Sequence, residues 1–430
     1  MNTTSEHSVH RVDGVADTSS IAVRELLGST EEPSPPAEVG ATPSRASPDS
    51  AAPMASRPRS AVELLFAMEE RGASDLHLGA GEPARLRIDG RLVVCPELDP
   101  GSGEPEMTAL LGQLMSERNW EDFRAKNDAD FAFEVPGCAR FRVSVYRDHR
   151  GLTAAIRRIP GDIPSADDLG LSATVRDLAR LKDGLVLVTG PTGSGKSTTL
   201  AALIDLINEQ RAEHIMTIED PIEFVHRSKG CLVHQRELGR DTPSFKQALK
   251  AALREDPDVV LVGEMRDLET VAIALETAET GHLVLGTLHT TTAMSTVERL
   301  VDQFPGDRQQ QVRTMLAGSL RAVIAQRLLP RVGGGRVAAQ EIMVVSPAVS
   351  NLIREGKTFQ IRSVMQTNRG SGMQPMEDAL IDLVRRGLVA PEHALELGGV
   401  DRKTLTARIQ GAKEMFDDDT VPPADTVNGG

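Results

Sequence analysis

One octapeptide constrains this 430-residue chain more than any other feature. Gly190-Pro191-Thr192-Gly193-Ser194-Gly195-Lys196-Ser197 reads G-x-x-x-x-G-K-S. It follows the apolar run Leu185-Val186-Leu187-Val188 and precedes a helical stretch from Thr198 to Ile207, so it joins a strand to a helix. Glycines at these positions let successive backbone N–H groups converge on one concavity, and the following helix N-terminus adds a favourable dipole. Lys196 brings a compact positive charge for the β and γ phosphates of a nucleotide, and Ser197 a hydroxyl for Mg²⁺. The motif predicts an ATP and Mg²⁺ site, and the strand-loop-helix context predicts an α/β domain around it.

Further apolar runs support that domain. Gly184 to Thr189, His214 to Ile218, Val259 to Val262 and Leu283 to Leu288 read as strands buried on both faces, as in a doubly wound sheet. The run Asp258 to Gly263 ends in Glu264, a carboxylate placed to hold the metal through a water or to act as base. Two more clusters sit at strand ends, where α/β folds bind ligands. One is Glu219-Asp220-Pro221-Ile222-Glu223, whose acids polarise water or reach Mg²⁺ indirectly. The other is His282 with His289, able to hydrogen-bond a phosphate or report its loss. Thr314 to Leu329 and Pro375 to Arg386 read as helical, the latter with Met376, Ala379, Leu380 and Leu383 on one face.

Upstream, Ser60 to Arg71 has helical periodicity, while Asp75 to Leu78, Ala84 to Ile88 and Arg142 to Val145 alternate like half-buried strands. Asp89-Gly90 is a hairpin-turn dipeptide. These segments predict a small α+β N-terminal domain over 58–160 and a linker over 161–172. An ATPase domain with C-terminal helices follows over 173–411. Residues 1–57 and 412–430 are rich in Ser, Pro, Ala and acids and read as disordered tails.

Composition removes other classes. A formal net charge of -14, one Trp and one Tyr oppose generic nucleic-acid binding, which needs a basic surface and stacking platforms. No apolar run reaches the length of about 18 residues that a membrane span needs, and the N-terminus lacks the pattern of a signal peptide, which points to the cytoplasm. Cys95, Cys138 and Cys231 are too scattered for a zinc site or a disulfide framework and read as buried thiols.

Four stretches in order resemble one family. Gly190 to Thr198, Thr217 to Phe224, Gly263-Glu264-Met265-Arg266-Asp267 and Thr280-Gly281-His282 through His289-Thr290 resemble the Walker A, Asp box, Walker B and His box of the ATPases that power type IV pili and type II secretion. Asp75-Leu76-His77, Arg140-Phe141-Arg142-Val143, Arg150-Gly151, Leu352 to Lys357 and Met365-Gln366-Thr367 are similar to the twitching-motility, pilus-retraction (PilT-like) branch. The four-cysteine insertion usual in the assembly and type II branch is missing.

The resemblance implies a RecA-like P-loop ATPase domain preceded by a small α+β, PAS-like domain. It implies a homohexamer with nucleotide between the two domains and N-terminal arginines reaching the phosphates; by motif position these are Arg142 and Arg157, with Arg140 next. Thr198 joins Gly190 to Ser197 in the nucleotide set. Implied partners are an inner-membrane pilus platform protein, through which alone the ring would meet the membrane, and a second pilus ATPase. Three alternatives stay open: an accessory retraction or assembly ATPase, a weakly hydrolysing regulatory subunit, and a nucleic-acid translocase, the last opposed by the acidic balance.

Overall fold

The computed structural model describes residues 60–397, except 89, 100, 102 and 160, together with 403 and 405–409. The expected tails lie outside the described residues. Two sheets organise the rest.

The first contains β1 (Asp75–Gly79), β2 (Glu82–Ile88), β3 (Arg91–Val94), β4 (Asp128–Glu134), β5 (Arg140–Asp148) and β6 (Gly151–Ile159) in the order β3-β2-β1-β6-β5-β4. Every neighbouring pair is antiparallel. Alternation assigns the faces. Leu76, Leu86, Phe141, Val143, Val145, Ala154 and Ile156 point into a core shared with Leu64, Leu65 and Met68 of the helix Ala61–Glu70 and with Met107, Leu111 and Phe123 of two further helices. Each large aliphatic side chain so buried contributes about 2 kcal/mol. The opposite face carries a cross-strand row of Arg87, Asp75, Arg157 and Arg142. The hairpin expected at 89 and 90 joins β2 to β3, a strand that the alternation did not reveal; residue 89 itself lies outside the described residues, and Gly90 takes a φ of 80°.

The second sheet contains β7 (Gly184–Thr189), β8 (His214–Glu219), β9 (Leu232–Glu237), β10 (Val259–Val262), β11 (Leu283–Leu288), β12 (Leu320–Pro330) and β13 (Arg336–Val344). Its order is β13-β12-β7-β11-β10-β8-β9, parallel throughout except for β13. Leu185, Leu187, Val260, Val262 and Val284 enter one core, while Val186, Val188, Val259, Leu261 and Leu285 enter another on the opposite face. Burial on both sides is why these strands read as unbroken apolar runs. This is the doubly wound, RecA-like arrangement that the sequence predicts.

One element differs. The helix expected over 314–329 ends at Ser319, and Leu320–Pro330 is β12, paired in parallel with β7 and antiparallel with β13. Local periodicity loses to tertiary pairing here. Ala322, Val323, Ile324 and Ala325 are fully buried between the two cores, and β-branched residues suit a strand. The expected helix near 375–386 is present as Met376–Arg385, and Met376, Ala379, Leu380 and Leu383 pack with Leu329 and Ala339 of the β12-β13 hairpin.

Cys95 and Cys231 are buried and Cys138 is half-buried, all as free thiols. Among the described residues no helix is long and apolar enough to cross a membrane.

Candidate nucleotide site

The phosphate loop leaves the carboxyl edge of the large sheet between β7 and the helix Lys196–Gln210. Two of its glycines are required by geometry. Gly190 has a φ of 144°, and a Cβ there would lie 2.3 Å from the Gln326 carbonyl oxygen; Gly195 has a φ of 84°, and its Cβ would lie 2.9 Å from Gln326 Nε2. Lys196 Nζ donates to the carbonyls of Gly190 at 2.9 Å and Pro191 at 3.2 Å, so the ammonium caps the loop. Burial lowers its pKa, opposed by Glu264 and Glu223, which lie close enough to favour the charge. Ser194 is buried, and its hydroxyl has no partner among the described residues. Pro191, Thr192, Gly193 and Thr198 complete the stretch from β7 into the first turn of the helix.

A cavity of about 30 Å³ opens beside the loop, lined by Ser197, Glu219, Phe224, His226, Gly263 and Thr287. It has room for about one water. Glu219 Oε1 accepts from Thr217 Oγ1 at 2.7 Å and Gln235 Nε2 at 3.1 Å, and desolvation pushes its carboxyl up despite those bonds. Next to it, Glu264 Oε1 accepts from Arg266 Nε at 2.6 Å and His289 Nε2 at 2.7 Å. Burial alone would raise this carboxyl, but the bonds from Arg266 and His289 prevail and hold it below the usual range. Glu264 is therefore ionised at neutral pH.

No group of three or more His, Cys, Asp or Glu side chains among the described residues is arranged to hold a metal by itself. The donors present are a hydroxyl at Ser197 and carboxylates at Glu219 and Glu264. Hard oxygen donors of this kind, few in number, suit Mg²⁺, which keeps several waters and shares its shell with substrate phosphates. The residues fit the ion that the motif implies.

The histidines separate. His289 follows β11 and reaches Glu264, whereas His282 precedes the same strand and lies at the opposite edge of the sheet, its Nδ1 3.0 Å from the Thr277 carbonyl oxygen. Six strand residues lie between them, a span of about 20 Å. The expectation that both histidines face the phosphates is corrected for His282, which closes the turn before β11.

The arginines also divide. Arg142 lies on β5, with Nε 3.1 and 3.2 Å from the two Asp130 oxygens. It is near enough to Asp220 and Glu223 for their charges to raise its pKa further, behind the larger effect of Asp130. Glu223 itself is exposed at the end of the Asp box. Arg157, directly across from Arg142, donates to Asp75 at 2.8 Å and is otherwise open to solvent. Arg140 is a different case. Its Nη2 lies 2.5 Å from Glu237 Oε2, in a pair with side chains only 11% and 6% exposed. Glu237 also accepts from the Ile222 amide at 3.2 Å. In this structure Arg140 joins the small sheet to β9 and is not free to reach a phosphate.

Two residues that the sequence reading passed over stand at the site. His226 is buried against the small cavity; its Nδ1 has no partner among the described residues, and burial lowers its pKa to about 4. Gln326 touches the loop from β12. Only its place within a run read as helix concealed it.

A profile described as type II/IV secretion system protein matches residues 59–395. The chain belongs to the type II/IV secretion system protein family. Within the family it is 52% identical over 337 residues to the type IV pilus retraction ATPase PilT of Pseudomonas aeruginosa, covering 78% of this chain and 97% of that one. It is also 54% identical over 311 residues to a twitching motility protein of Neisseria gonorrhoeae, covering 72% and 82% respectively. The crystal structure of the pilus retraction motor PilT with bound ADP superposes with a TM-score of 0.75 at 47% identity, covering 80% of this chain and 98% of that one.

Proposed function

We propose that this chain is the subunit of a homohexameric motor that hydrolyses ATP to retract type IV pili. The observation that carries the reading is a complete phosphate loop with Glu264 and His289 beside it, in a chain that matches 97% of a pilus retraction ATPase at 52% identity. The reading takes two domains near 58–160 and 173–411, which the separate small and large sheets support. Closure of one on the other is the stroke that ATP binding drives and product release reverses.

At the site, the loop from Gly190 to Thr198 binds the phosphates and Lys196 turns from its loop carbonyls to the β and γ oxygens. Mg²⁺, held by Ser197 and through water by Glu264, would neutralise charge on those oxygens. Glu264, kept ionised by its partners, orients the attacking water, and His289 senses the γ-phosphate through that carboxylate. Glu219, which shares the small cavity with Ser197, and the exposed Glu223 next to it supply further carboxyl groups to the site. Arg142 and Arg157 supply charge from the small sheet, Arg142 being the one that already fronts Asp220 and Glu223. A membrane-embedded pilus platform at the cytoplasmic face receives the stroke, alone or with a second pilus ATPase.

Expression in a twitching bacterium lacking its own retraction ATPase tests the proposal. Restored twitching zones with wild type but not with Lys196→Ala support it. An ATPase-active chain that restores nothing refutes retraction and leaves the accessory or assembly role.

A further inference from the structure

Gln326 stands out among buried polar groups that the motifs do not account for. It lies on β12, is 2% exposed, and directly follows the buried apolar run Ala322 to Ala325. Its Nε2 donates to the Ser194 carbonyl at 2.7 Å, while its Oε1 accepts from Thr199 Oγ1 at 2.9 Å and Gln340 Nε2 at 3.0 Å. The orientation of the amide is unambiguous, because a carbonyl can only accept and the Gln340 amide nitrogen can only donate. Gln340 is the cross-strand partner of Gln326 on β13, so the pair is set by sheet register.

We infer that Gln326 is a positioning residue that holds the phosphate loop in its binding shape. It touches both ends of the loop: a Cβ at Gly190 would meet its backbone oxygen at 2.3 Å, and one at Gly195 its side-chain nitrogen at 2.9 Å. The peptide that joins Ser194 to Gly195 is planar and trans, so its C=O and N–H point in opposite directions. Drawing the Ser194 carbonyl toward β12 therefore turns the Gly195 N–H away from Gln326, to the phosphate side of the loop. A leucine would fill the same space but take this partner away from the Ser194 carbonyl, the Thr199 hydroxyl and the Gln340 amide. The retained carboxamide is explained by the direction it imposes on this peptide. Gln340 acts one step behind, fixing the amide that fixes the loop. The inference rests on the nucleotide reading of the loop.

Preorganisation of this kind favours bound nucleotide equally in ground and transition states, so its loss raises KM and leaves kcat. The test uses the full chain, a fluorescent ADP analogue, and steady-state ATP hydrolysis. Gln326→Leu is expected to raise the ADP Kd and the KM for ATP at least tenfold, because the Ser194 carbonyl and the Thr199 hydroxyl both lose their Gln326 partner, with kcat within about twofold of wild type. Gln326→Glu places an acceptor against an acceptor at pH 8; on acidification toward pH 6 the protonated carboxyl regains a donor for Ser194, and affinity recovers relative to wild type. Gln340→Leu, which touches no part of the loop, raises Kd by about threefold. If Gln326→Leu does not fold, the other two variants carry the test. Unchanged ADP affinity in them, with Lys196→Ala unable to bind, overturns the inference, as does a fall in kcat at constant KM. A wild-type chain that binds no ADP refutes the nucleotide reading instead.

Discussion

Arg140 provides the sharpest division between what its motif implies and what the structure shows. If it reaches a phosphate, its removal should lower ATP turnover and leave the fold intact. The structure predicts the reverse. The guanidinium and the Glu237 carboxylate meet at 2.5 Å with side chains 11% and 6% exposed, so solvent screens little of their interaction. Arg140→Met keeps the apolar stem and leaves Glu237 with the Ile222 amide as its remaining donor at 3.2 Å. Stranding one partner of a buried pair costs about 3–5 kcal/mol. Glu237→Gln in the same chain removes the stranded charge and still accepts from Ile222, so the double variant should return to within about 1–2 kcal/mol of wild type. Trp120, the only tryptophan, lies in the helix Glu117–Lys126 on the small-sheet side and reports urea unfolding there by fluorescence. An unchanged urea midpoint in Arg140→Met together with lost turnover would refute the structural role and return Arg140 to the phosphates.

Other consequences follow from the site. Lys196→Ala should weaken nucleotide binding at least tenfold, and Glu264→Ala should bind ADP as wild type does while losing at least a hundredfold in kcat; calorimetry and phosphate release separate the two, and wild-type rates in both would refute the site. Arg142 fronts Asp220 and Glu223 of its own chain. Mixing Arg142→Ala subunits with Glu264→Ala subunits should therefore restore no hydrolysis, whereas recovery would show that a neighbour supplies the arginine. His226, whose pKa burial lowers to about 4 in the folded chain, is protonated in the unfolded chain first as pH falls. Its contribution to stability is complete above the unfolded value near 6.5 and is lost as pH falls toward 4, by up to about 3 kcal/mol. Urea midpoints from pH 7.5 to 5 should fall less steeply for His226→Gln than for wild type, and equal slopes would contradict the assignment.

The phosphate loop and the four central strands were legible because each is local: a fixed spacing in one case, continuous apolar runs forced by burial on both faces in the other. Glu264 was legible for the same reason, as the first charge after such a run. Pairings over long separations were not. Arg140 and Glu237 are 97 residues apart, and no spacing rule joins a nearly buried arginine in one sheet to a buried glutamate in another. His282 and His289 share a motif, but the strand between them carries the two rings to opposite edges, a distance that proximity in sequence hides. Gln326 was obscured because Thr314 to Leu329 has helical periodicity up to Ser319 and then continues into a buried strand whose apolar run fits either state.

ATP hydrolysis by the purified chain, followed against protein concentration with the mass of the species recorded in parallel, tests the central claim most directly. A specific activity that rises as hexamers form, and that Lys196→Ala abolishes without dissolving the ring, is the result this account predicts. A chain that stays monomeric, or that assembles and turns over no ATP at any concentration, would contradict it.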